Sequence, residues 1–275
     1  MFPHHDAGLE PGKVRVFGAR CRMAEWWETF FNTEYVRLWE RAEAPGQSER
    51  EGAGLWAILN LTEGSRVLDA PCGYGRIART LAERGASVLG IDQSADLIAA
   101  AEQRRGGIPS SRLRYVRHDL RQPLPESGFD AAVNIFSSLG CGTEAEDQAM
   151  LSTLRNALRP GGAVFVELTH RDRVAVALSQ NSRVGHRLPD GTLLVEETQL
   201  DAVTGRINPT WYWSGPGGSG QKSASLRVYS VTELVKLLEF VGLRVQSLHD
   251  GSSTEKFIPM GRMMSSQIGV LAIRD

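Results

Sequence analysis

The chain has 275 residues, a formal net charge of −1 and 41% hydrophobic residues, which suits one elaborated domain, or a domain with a lid, around an ample core. A near-neutral balance argues against a nucleic-acid surface, which would be plainly basic. Cys21, Cys72 and Cys141 are too few and too scattered for a disulfide framework or a zinc site. Neither a secretion signal nor a run near the ~20 apolar residues of a membrane span is visible, so the expectation is a soluble, cytoplasmic protein.

Residues 1–20 mix Pro, Gly and charges without periodicity, and no regular element is expected there. From Met23 to Ala44 the residues Trp26, Trp27, Phe30, Phe31, Tyr35, Leu38 and Trp39 recur at spacings of three and four, which predicts one or two helices. Most of that stripe reads as core-facing, and some of it reads as a cover for the turn that follows. A further helix is expected over 49–60, so that residues 1–60 form an N-terminal helical cover on a main domain of 61–275. Strands at 65–70, 87–91, 112–117, 129–136 and 162–169 then alternate with helices at 75–84, 94–105 and 145–158. Apolar strands separated this way predict an α/β fold with a parallel sheet covered on both faces and its ligand at the strand C-termini.

After His170 the pattern changes. Short alternating stretches at 184–188, 193–199, 207–213 and 224–229, separated by turn residues, predict antiparallel hairpins, so 171–230 reads as a β insertion. Gly215 to Ser223 (GPGGSGQKS) has the look of a phosphate loop, but Gln221 separates Gly220 from Lys222 and no helix follows, so a flexible loop is expected. The tail predicts a helix over 231–241 and strands near 243–249 and 267–273.

The stretch VLDAPCGYGRIA, residues 67–78, reads as strand, glycine-rich turn and helix start. Gly73-x-Gly75-x-x-Ala78 satisfies a loose dinucleotide pattern. Three acids move the reading elsewhere. Asp69 ahead of the glycines suits an ammonium group and would repel a pyrophosphate. Asp92 ends the second strand, within reach of ribose hydroxyls, and Asp119 follows the third, placed to meet an adenine amino group.

With these features the chain resembles the class I S-adenosylmethionine-dependent methyltransferases, well over about residues 60–170 and in outline beyond. VLDAPCGYG matches motif I, with Pro71 in place of its first glycine; Asp92 and Asp119 match the ribose and adenine acids; VNIFSSLG (133–140) and LRPGG (158–162) match the segments around strands four and five. The resemblance implies a Rossmann-like fold with a mostly parallel seven-stranded sheet, and S-adenosyl-L-methionine as cofactor, S-adenosyl-L-homocysteine as product and no metal. It implies a cofactor site of Asp69, Pro71, Gly73, Tyr74 and Gly75, with Asp92 at the ribose, Gln93 beside the adenosine, and Asp119 and Leu120 at the adenine. Asn134 and Phe136 would face the methionyl end, with Tyr35 closing over the sulfonium.

Several acceptor classes fail by their marks. Asn134-Ile135-Phe136-Ser137 departs from the Asn-Pro-Pro-aromatic of amino-methylating nucleic-acid enzymes, Cys141 lacks the proline that precedes a nucleophilic cysteine, and Glu144 and Glu146 read as first-turn helix acids. A small-molecule acceptor methylated on oxygen or nitrogen is the expectation, in a pocket walled by the N-terminal aromatics and the 182–230 hairpins, where Trp211, Tyr212 and Trp213 alternate with one face read as core and the other as pocket wall. His170 is the candidate proton acceptor, its alternative a cap or a partner of Asp172. A non-catalytic cofactor-binding protein and a protein or tRNA methyltransferase are the competing readings.

Overall fold

The computed structural model describes residues 25–136, 138–255 and 266–275. The expectations for residues 1–20, for Cys21, for the helix start at Met23 and for Ser137 lie outside the described residues. Three helices open the chain, α1 (Trp26–Phe30), α2 (Thr33–Ala42) and α3 (Gln47–Ile58). Then follow β1 (Arg66–Asp69), α4 (Arg76–Glu83), β2 (Ser87–Asp92), α5 (Ala95–Gln103), β3 (Leu113–Arg117), β4 (Phe129–Asn134), α6 (Glu144–Ala157) and β5 (Leu158–Thr169). Next come α7 (Arg171–Gln180), β6 (Arg183–Arg187), β7 (Leu193–Asp201), β8 (Arg206–Gly215), β9 (Gly218–Ser223), β10 (Leu226–Arg227), α8 (Val231–Phe240), β11 (Leu243–His249) and β12 (Gln267–Arg274).

The main sheet has seven strands in the order β11-β12-β5-β4-β1-β2-β3. β12 runs antiparallel to both neighbours and the other pairings are parallel, as expected for this fold class. Its strands are apolar on both faces because helices cover both. Val67, Val88, Val133 and Phe165 pack with Leu55, Ile77 and Leu81 on one side; Leu68, Ala132 and Val164 pack with Leu151, Leu154, Leu234 and Leu238 on the other. The turn sites lie where β1 and β4 are flanked by strands leaving in opposite directions, the crevice at which such sheets take ligands. Among the described residues no helix is long and apolar enough to cross a membrane.

The second sheet, β10-β8-β7-β6 with β9 on β8, is antiparallel throughout. Two sequence expectations need correction here. The β insertion expected from residue 171 opens with a helix, α7, because Val174 and Leu178, four residues apart, both pack on Ile207, Val228 and their neighbours. The expected flexible loop at 215–223 is a hairpin: β8 runs to Gly215 and returns as β9 from Gly218. Lys222 fastens it by donating to the Phe30 carbonyl at 2.8 Å and to Asn32 Oδ1. Trp211, Trp213 and Leu194 of this sheet pack on Phe30 and Leu38, with Phe31, Tyr35 and Trp39 alongside.

Candidate functional site

Asp69 ends β1 and is 2% exposed. Its Oδ2 accepts the Ala78 N–H at 2.9 Å, which ties the strand tip to the first turn of α4. Asp92 ends β2, and its two oxygens accept the Gly73 N–H at 3.0 Å and the Ser94 N–H at 2.8 Å. Both acids therefore shape the turn before any ligand arrives. Burial pushes Asp69 up to about 7, opposed by the Arg76 charge and the Ala78 amide, and pushes Asp92 up to about 6 against its amide bonds. Gly73 and Gly75 hold φ of 57° and 82°, a region that costs a side chain strain.

Above this turn lies a cavity with about 1190 Å³ of atom-free space, part of it open to solvent. Asp69, Pro71, Gly73, Tyr74, Asp92 and Gln93 form its floor. Asp119, Leu120 and Arg121 form one wall, and Ile135 and Phe136 another. Four aromatics spaced by four residues, Trp27, Phe31, Tyr35 and Trp39, make the roof. The Tyr35 ring stacks at 5.9 Å on Trp211 and 6.3 Å on Trp39, and burial raises its hydroxyl pKa above the ordinary phenol range. Phe136 adopts φ of 72°, rare for a non-glycine residue, and sets its ring 5.0 Å from Trp39. Asp119 is held by its neighbour: Arg121 Nε donates to its two oxygens at 3.0 and 3.1 Å, and Arg121 Nη1 donates to Glu146 at 2.6 Å. This pairing holds the Asp119 carboxyl below its usual range.

The roof is fastened to the sheet by polar links. The Ser94 hydroxyl donates to the Phe31 carbonyl at 2.8 Å, Tyr74 Oη donates to Glu43 at 2.9 Å, and Arg104 pairs with Glu40 at 2.6 Å. Among the described residues no group of three or more His, Cys, Asp or Glu stands ready to hold a metal ion.

Residues 67–162 match a family model described as a methyltransferase domain. A demethylmenaquinone methyltransferase from Tropheryma whipplei (strain Twist) is 34% identical over 117 residues, 42% of this chain and 47% of the relative. A ubiquinone biosynthesis O-methyltransferase from Rhizobium etli (strain CIAT 652) is 33% identical over 182 residues, 62% of this chain and 68% of the relative. The chain belongs to the S-adenosylmethionine-dependent methyltransferases. The solved CcbJ methyltransferase from Streptomyces caelestis shares the fold, with a TM-score of 0.73 over 89% of this chain and 98% of that one, at 18% identity. The chain spans about half the length of the first curated relatives it matches, 47% of one and 56% of another.

In this chain ten of the thirteen expected site residues line one cavity: Tyr35, Asp69, Pro71, Gly73, Tyr74, Asp92, Gln93, Asp119, Leu120 and Phe136. Three do not. Gly75 is not in the lining, and an added Cβ there would come within 2.3 Å of Tyr115 Oη. Asn134 is buried and works inside the scaffold, donating to the Ala70 carbonyl at 2.8 Å and accepting from Ser138 Oγ at 2.8 Å. His170 is buried at the start of α7, where its Nδ1 accepts the Arg173 N–H at 3.3 Å. The hairpin residues 182–230 are also absent from the lining; Trp211 supports the roof from behind and donates to Glu196 at 3.0 Å. Sequence reasoning gave the stripe that holds Trp27, Phe31, Tyr35 and Trp39 as part core and part cover without dividing it, and it missed Arg76 and Arg121 as lining residues. The four-residue spacing of 27, 31, 35 and 39 was the available signal for the aromatics, and the place of Arg76 next to Gly75 was the signal for it.

Proposed function

We propose that the chain transfers a methyl group from S-adenosylmethionine to an oxygen or nitrogen of a small molecule. The observation that carries this reading is the convergence of Asp69, Asp92 and Asp119, from three adjacent strand ends, on one cavity with an apolar roof. The residues suit the cofactor's chemistry. Asp69 would hold the ammonium, Asp92 with Gln93 the ribose, and Leu120 with Asp119 the adenine, with Tyr74 and Leu97 against its faces. When bound, the cofactor supplies a methyl carbon activated by a sulfonium.

The protein's part is to exclude water and hold the acceptor in line with that carbon. Tyr35, Trp39 and Phe136 form an apolar collar for this, and their faces favour a sulfonium over bulk water. Burial raises the pKa of the Tyr35 hydroxyl, which suits it to donate a hydrogen bond more than to act as a base. His170 is left out of the reaction, since it caps α7 away from the lining. A small acceptor is supported by the aromatic roof that covers the cavity. It is supported too by the Rhizobium relative, named for O-methylation in ubiquinone biosynthesis.

Calorimetry tests the reading. S-adenosylmethionine should bind, and Asp92→Ala should weaken it roughly a hundredfold, since that carboxylate both organises the turn and meets the ribose. Heat with NADH and none with S-adenosylmethionine would overturn it in favour of an oxidoreductase.

A further inference from the structure

Arg76 opens α4 directly after Gly75. A cation there meets the positive end of the helix macrodipole, an unfavourable placement that calls for a counter-charge. Glu51 of α3 supplies one: Arg76 Nη1 donates to Glu51 Oε2. One face of the guanidinium is also occupied, its carbon lying 5.1 Å from the Phe136 ring centroid. The group is thus oriented by an edge and a face. Its other terminal nitrogen, Nη2, is buried and has no hydrogen-bond partner among the described residues. A buried charged donor left unmade is costly unless a ligand completes it. Arg76 lines the same cavity as Asp69 and Tyr35, and its charge is close enough to oppose the burial shift of Asp69.

We infer that the open edge of Arg76 is a carboxylate subsite. It donates to a small oxyanion brought into the cavity, either the amino-acid carboxylate of the methyl donor or an acid group of the acceptor. The inference rests on the donor reading above. Asp69 beside Arg76 favours the first source, because the two opposite charges complement a zwitterionic amino acid. Glu51 is then a positioning residue that keeps the guanidinium edge turned into the cavity.

Two nucleosides separate the possibilities: S-adenosylhomocysteine, and 5′-methylthioadenosine, which has the same nucleoside and sulfur without the amino acid. By calorimetry, Arg76→Met should weaken S-adenosylhomocysteine by roughly tenfold to a hundredfold and leave 5′-methylthioadenosine within about twofold. Arg76→Lys should recover part of the loss, since a point charge replaces a fork. Because Arg76→Met strands the Glu51 carboxylate, the pair Glu51→Gln/Arg76→Met is measured beside it and should give the same contrast in a well-folded protein. If both proteins bind S-adenosylhomocysteine equally, inorganic phosphate is titrated into the loaded forms. Uptake by the unaltered chain, lost in the variant, assigns the subsite to the acceptor. Equal loss of both nucleosides, or no difference in nucleoside and phosphate binding, overturns the inference while the donor reading stands. Failure of the unaltered chain to bind either nucleoside overturns the donor reading itself.

Discussion

The floor and the roof of the cavity are built by different physics. The floor, from Asp69 to Gln93, is held by short-range backbone amides on two carboxylates, within a parallel sheet whose register leaves little freedom. The roof, from Trp27 to Trp39, is two short helices, α1 of five residues and α2 of ten, below the length at which helices persist alone. Besides its ties to Ser94, Tyr74 and Arg104, it packs on a second sheet that arrives much later in the chain and contributes nothing to the lining. The comparison teaches that the floor of the cavity is built locally, whereas its cover also depends on distant packing.

Removing the distant support is the sharpest way to break that contrast. Trp211 is 6% exposed and packs on Phe30, Tyr35 and Trp39. Trp211→Ala should cost about 3–5 kcal/mol, as large-to-small changes in packed aromatic sites do. Hydrogen exchange should lose protection over 26–42 and 193–223 and keep it over 66–92. Loss of protection in all three would mean that floor and roof open as one unit.

The difference also explains what could be read from the chain alone. The alternation of strands and helices over 65–169 and the three strand-end acids are local patterns, and each emerged in place. The N-terminal stripe is legible as part core and part cover, but its division is not: Leu38 packs beside Trp211 and Trp213 of β8, Val36 packs on Tyr74 and Leu97, and Tyr35 and Trp39 line the cavity. α7 was missed for the same reason: its valines suit a strand, and only packing against Ile207 and Val228 makes them helical. The contact between Gly75 and Tyr115 Oη, 40 residues on, has no local signal either. The tie between Arg76 and Glu51 spans 25 residues and two elements, with no spacing rule to reveal it.

A change of pH probes the floor by itself. Burial raises Asp69 to about 7 and Asp92 to about 6, above their ordinary value of 3.8. The empty folded protein then keeps protons that the unfolded chain gives up, so these groups make stability fall as pH rises from about 4 through about 7. An ammonium beside Asp69 favours its ionised form, so donor affinity should run the other way and grow across that window. The growth is at most roughly tenfold per pH unit for each proton released. Asp69→Asn should flatten the upper part of this rise in calorimetry between about pH 5 and pH 8. An unchanged slope would remove Asp69 from the ammonium's neighbourhood.

The smallest expected effect concerns the boundary between the main sheet and the insertion. His170 follows β5, is 2% exposed and caps α7 through Nδ1, and its Nε2 lies 3.9 Å from Asp172 Oδ2. Burial holds the imidazole below its usual pKa, so it is neutral near pH 7, and the stability it contributes is lost as pH falls below about 6.5. His170→Asn keeps an oxygen acceptor for the Arg173 amide and removes the titrating ring; His170→Ala removes both. The cap accounts for about 1 kcal/mol, so the alanine variant should melt lower and the asparagine variant should recover part of the difference. Turnover per folded molecule should match the unaltered chain in both. A loss of roughly a hundredfold in both variants, with donor binding intact, would instead give His170 the proton-accepting role and require the cavity to open as far as the end of β5.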